Sequence, residues 1–83
     1  MKCRQYTTET KIYAIANQTA SDCNSILFIN TGNTTVNVDG LVLQPSQSWA
    51  ITGNENEMLI KTYNFSFGAG TNPNLTVIYK RYL

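Results

Sequence analysis

The chain has 83 residues and 9.3 kDa, enough for one small domain and no more. Hydrophobic residues make up 42% but charged residues only 13%, and the net charge is +1, so the basic excess of a typical nucleic-acid binder is missing. Histidine is absent altogether, which removes Ser-His-Asp and Cys-His nucleophilic sites, His-containing zinc sites and the commonest general base near neutral pH. A domain this size removes only about 60% of its unfolded surface on folding, so it gains from partners or cross-links. The sequence therefore predicts no enzyme, no cofactor and no metal site.

Residues 1–10 read as a polar N-terminal arm, and residues 11–83 as a single β domain. No apolar leader follows Met1, so the reading places the chain in a reducing cytoplasm with Cys3 and Cys23 as free thiols. The alternative is a Cys3–Cys23 disulfide closing a loop of about 20 residues, worth about 3 kcal/mol in the loop-entropy model. Ile12–Ala16 is the first predicted strand, ended by the polar run 17–22. Ser25–Asn30 is an unbroken apolar run, the pattern of a strand covered on both faces. Val36 and Val38 alternate with polar residues, and Asp39-Gly40 is a strong hairpin turn leading into Leu41–Leu43. Pro45 interrupts the ladder before Ser48–Thr52, in which Trp49 and Ile51 share a face.

From Met58 to Phe67, Leu59, Lys61, Tyr63, Phe65 and Phe67 share one side, which predicts an aromatic core face. Leu75, Val77, Tyr79 and Leu83 do the same in the last strand, with Arg81 breaking the row near its end. No segment has helical spacing with a cap. About six or seven strands at 8–12-residue intervals predict an all-β fold, a small antiparallel β-sandwich or jelly-roll-like barrel.

The remaining motifs carry little chemistry. Gly68–Asn72 lacks the Lys-Ser/Thr of a phosphate loop and reads as a hairpin loop. Glu55 and Glu57 lie in an Asn/Gly-rich turn without calcium-loop spacing. Asn17, Asn33, Asn64 and Asn74 open N-x-S/T triplets and are read as turn and strand residues. No apolar run is long enough to span a membrane. Charge is unevenly distributed: residues 1–11 carry +2, 12–60 carry −4 and 61–83 carry +3. That pattern predicts basic termini able to dock on an acidic partner surface, or alternatively cations guarding an edge strand.

The series Ile29-Asn30-Thr31-Gly32, Leu41-Val42-Leu43-Gln44-Pro45-Ser46, Tyr63-Asn64-Phe65-Ser66-Phe67 and Leu75–Tyr82 resembles small β-sandwich virion proteins of bacteriophages. These are capsid decoration, penton, spike-base or head-fibre components. Many of them carry Pro-Gly where this chain has Pro45-Ser46. The resemblance spans roughly residues 25–83 and implies a non-enzymatic virion subunit. It would form homo-oligomers and dock on a major capsid protein or other virion proteins, after synthesis in the host cytoplasm.

The expected partner-binding residues are Lys2, Arg4, Tyr6, Lys80, Arg81 and Tyr82, with the loops 32–34, 53–57 and 68–74 facing outward. Two other readings stand beside this one. The first is a carbohydrate-binding or adhesin module in which Trp49 or an exposed tyrosine stacks on a glycan, although the parity of Trp49 with Ile51 favours a core or interface position. The second is a secreted, disulfide-stapled protein.

Overall fold

A computed structural model describes residues 4–83. Among these residues eight strands form and no helix: β1 (Tyr6–Tyr13), β2 (Asn17–Ala20), β3 (Ser25–Asn30), β4 (Val36–Val38), β5 (Leu41–Leu43), β6 (Ser48–Ile51), β7 (Thr62–Phe67) and β8 (Leu75–Tyr82). They make two antiparallel four-stranded sheets, ordered β1-β8-β3-β6 and β2-β7-β4-β5. The pairs β1:β8, β2:β7, β3:β6 and β4:β5 behave as one long antiparallel ribbon, and the junctions β8:β3 and β7:β4 roll that ribbon into two layers. This is the strand order of a jelly roll.

Alternation decides which residues meet between the layers. Ile26 and Phe28 on β3, Leu75, Val77 and Tyr79 on β8, and the half-buried Trp49 and Ile51 on β6 point inward from the first sheet. Val36 and Val38 on β4, Leu43 on β5, and Tyr63 and Phe65 on β7 meet them from the second. Trp49 stacks on Phe28 at 5.6 Å and meets the edge of Tyr63 at 6.1 Å, so it packs against the core. The aromatic row expected on β7 is the core face, and Asp39-Gly40 forms the expected hairpin, with φ of 50° and 91° as a type I′ turn requires.

Polar groups close the ends of the sandwich. Asn30 is buried at the end of β3; its Nδ2 donates to the carbonyls of Thr34 (2.7 Å) and Leu43 (2.9 Å), and its Oδ1 accepts from the Gly32 N–H (3.2 Å). Gly32 lies so close to the 72–74 segment that a Cβ there would fall on the backbone of Asn72 and Asn74. At the other end the buried Asn24 donates to the carbonyls of Asn54 (3.3 Å) and Glu57 (2.6 Å) and accepts from the Tyr82 N–H (2.9 Å).

Five expectations need correction. The first strand starts at Tyr6, inside the segment read as an arm, and the polar run 17–20 is itself a strand, so there are eight strands. Both elements lie at sheet edges: β1 is exposed on both faces apart from half-buried Tyr13, and in β2 only Thr19 is buried, so neither imprints an apolar alternation. The strand expected from Met58 begins at Thr62; Leu59 makes only an isolated bridge to Cys23, and Met58 and Ile60 are exposed. β3 is not covered on both faces, since Leu27 and Ile29 point away from the core and are half-buried. Thr34, expected in an outward loop, is buried over the end of the core.

Candidate partner-binding surface

The two sheets differ on their outer faces. On the second sheet the outward row is Gln18, Thr62, Asn64, Ser66 and Asn37, with Val42 at the edge. On the first sheet the outward positions include Ile12, Ile78, Leu27, Ile29 and Ala50. Leu27 stands directly opposite both Ile78 and Ala50, while Ile12 and Ile29 both stand opposite Thr76, one step along from Ile78. An apolar stripe thus crosses all four strands, half-buried at Leu27, Ile29 and Ile78 and 66% exposed at Ile12. Small side chains at Thr8, Ser25, Ala50 and Thr52 leave a groove of about 320 Å³ over Leu27 and Ile78, with Tyr6 and Lys80 beside it.

At the head of that stripe, β1 and β8 bring three of the expected residues together. Tyr6 stands opposite Tyr82, with the rings 6.1 Å apart and edge to face. The Lys80 ammonium lies 4.3 Å from the Tyr6 ring centre and 5.0 Å from that of Tyr82, a double cation–π contact that holds the charge over an aromatic surface. The cluster is fixed from below, because the Tyr82 N–H bonds to the Asn24 side chain and the Leu83 N–H to the Gln5 carbonyl. Tyr6 is 56% exposed, so one aromatic side remains available.

The other expected residues lie elsewhere. Arg81 points to the opposite side of the sheet, where Nη1 donates to Glu9 Oε1 (2.9 Å) and Nε to the Asp22 carbonyl (2.8 Å). Arg4 pairs with Glu55 in the 53–57 loop at 3.4 Å. Lys2 lies outside the described residues, as does Cys3. Lys61 pairs with Asp39 at 3.1 Å. Among the described residues the charge segregation along the chain therefore does not become a segregated surface: Arg4, Lys61 and Arg81 each take an acid from the first 60 residues, and Lys80 lies over aromatic rings.

Ionisable groups are held in structural roles. Asp39 is kept below the usual carboxylate range by the Asn64 N–H and then by Lys61. Burial pushes the Cys23 thiol up, which disfavours the reactive thiolate. Burial likewise raises Tyr79 to about 12. Among the described residues, no group of three or more His, Cys, Asp or Glu side chains is placed to hold a metal ion, and no helix is long and apolar enough to cross a membrane.

Tyr6, Lys80 and Tyr82, expected from the sequence to bind a partner, lie beside an apolar stripe that the sequence did not mark. Its components Ile12, Leu27, Ile29 and Ile78 come from three strands whose adjacency depends on the rolled topology. The continuous apolar run of β3 was the available signal, since it announces two apolar faces where the core needs one. The chain matches no family model, and no curated protein is similar to it in sequence.

Proposed function

We propose that this protein is a non-enzymatic structural subunit of a bacteriophage virion, a capsid decoration, penton or spike-base component. In this reading it docks on the capsid shell through the outer face of the first sheet. One observation carries the proposal: a jelly roll whose two outer faces are unequal, one polar and the other crossed by an apolar stripe. An apolar stripe on an otherwise solvent-facing sheet supports a contact with another macromolecule. Jelly rolls recur in viral capsids, although the same architecture also serves lectins and cupins. Each copy contributes a modest interface, and symmetric repetition multiplies modest contacts into a firm attachment.

The test is to separate particles from soluble protein on a density gradient, in cells that make the chain, and to quantify it by mass spectrometry. The account expects the chain in the particle band at many copies, and an Ile78→Glu variant that folds but stays in the soluble fractions. Recovery of the wild-type chain only among soluble proteins overturns it.

A carbohydrate-binding reading keeps one supporting feature, the exposed Tyr6 ring beside the hydroxyls of Thr8 and Ser25 along the groove. Trp49 is committed to Phe28 and Tyr63, so this reading rests on Tyr6. Glycan-array binding that disappears in Tyr6→Ala would favour it over the virion reading.

A further inference from the structure

We infer that the free edge of β1 pairs antiparallel with β1 of a second copy of this chain, about a two-fold axis at Thr10, to give one continuous eight-stranded sheet. The strand is laid out for it. β1 meets β8 along eight uninterrupted pairs, from Tyr6↔Tyr82 to Tyr13↔Leu75. It has no bulge and no proline, the usual devices that blunt an edge. Seven of its eight residues are exposed.

The direction of the backbone groups follows from the ladder. Leu83 N–H donates to the Gln5 carbonyl on the β1 side, whereas the Lys80 carbonyl and the Tyr82 N–H are taken up on the β3 side by Asn24. In an antiparallel ladder these directions alternate. Odd-numbered residues of β1 therefore aim their N–H and C=O at β8, and Thr8, Thr10 and Ile12 aim theirs away from the sheet.

A two-fold axis at Thr10 places Thr10 opposite Thr10 of the second copy, and Thr8 opposite its Ile12, all at positions whose backbone groups point outward. Between them, Glu9 stands opposite Lys11 of the second copy, and Lys11 opposite its Glu9. These are non-hydrogen-bonded positions, where side chains approach most closely. Neighbouring registers are disfavoured: an axis at Glu9 sets Glu9 against Glu9, and an axis at Lys11 sets lysine against lysine. Glu9 accepts from Arg81 through Oε1, leaving Oε2 to accept from the partner lysine. Only the Thr10 register matches charge and backbone direction together, and that selects a second copy as the occupant.

The pairing also deepens the proposed function, on which its purpose rests. Ile12 carries the apolar stripe onto β1, so joining two β1 strands merges two docking faces into one.

The test is light scattering on the full-length chain over a concentration series, with circular dichroism to confirm folding. Wild type is expected at twice the 9.3 kDa chain mass. Glu9→Lys or Lys11→Glu alone brings like charges opposite and raises the dimer Kd at least about tenfold. An equimolar mixture of the two variants restores both opposite pairs, and the dimer returns as a heterodimer. Thr10→Pro removes an outward N–H while sparing every bond to β8, and is expected to be a monomer without any change of charge. A wild type that stays monomeric throughout the series, or variants that dimerise like wild type, overturns the pairing. A monomer that still travels with particles would sink this inference and leave the virion reading standing.

Discussion

Tyr79 of β8 carries its hydroxyl across the sandwich to the hydroxyl of Thr19 on β2, which joins the two sheets through a buried hydrogen bond between residues 60 positions apart. Tyr13 donates to the same Thr19 oxygen at 3.2 Å. Thr19 is the one buried residue of a strand that is otherwise exposed, so the bond fixes an edge element that apolar packing does not hold.

Two outcomes follow for Tyr79. Tyr79→Phe keeps the ring and loses the bridge, at a cost of about 1 kcal/mol in urea unfolding. Because burial raises the folded-state pKa to about 12, the native protein keeps a proton that the unfolded chain releases near pH 10. The part of the stability that rests on Tyr79 is therefore fully present below pH 10 and is lost as pH rises toward 12. Tyr79→Phe should flatten that decline in a thermal-unfolding series; an unchanged alkaline profile would remove the role assigned to the hydroxyl.

Asn30 is the polar counterpart at the other end of the sandwich. Replacing it with alanine strands the carbonyls of Thr34 and Leu43. Asn30→Ala is expected to cost about 3 kcal/mol, well beyond an ordinary surface change. A denaturant midpoint within error of wild type would contradict it.

Ser46 offers a gain. It sits at φ 73° in the turn closed by the Gln47 N–H to the Gln44 carbonyl at 2.9 Å, a position after proline where a type II turn favours glycine. A non-glycine residue there costs about 1–2 kcal/mol, and glycine returns part of that gain to the unfolded chain. Ser46→Gly should raise stability by about 0.5–1 kcal/mol, seen as a higher melting temperature.

Asp39 sets the acid side. Its carboxylate accepts from the Asn64 N–H at 3.1 Å and from Lys61, and these contacts lower its pKa in the fold. The contribution is present above the ordinary carboxylate pKa and disappears as pH falls through the lowered value. Asp39→Asn should narrow the stability difference between neutral and acid solution, and an identical acid profile would contradict this.

How far the sequence could be read depended on burial. β7, β8 and the Asp39-Gly40 hairpin bury one face each, so their alternation marks both strand and core side. β1 and β2 left no such mark, because edge position rather than apolar patterning makes them strands. The Tyr6–Lys80–Tyr82 cluster was legible as basic and aromatic residues at the two chain ends, since the terminal strands pair. That Arg81 turns the other way follows from strand parity alone, and its ties to Glu9 and Asp22 required the rolled sheets. The apolar stripe likewise needed β1, β8, β3 and β6 to lie side by side.

The central claim is that the outer face of the first sheet is covered in the assembled state. Hydroxyl-radical footprinting of the chain, free and within purified particles, tests it directly. The account predicts that Tyr6, Leu27, Ile78 and Tyr82 lose most of their labelling in particles, while Leu41 and Val42 on the opposite sheet are labelled as before. Equal labelling of Tyr6, Leu27, Ile78 and Tyr82 in both states would contradict it.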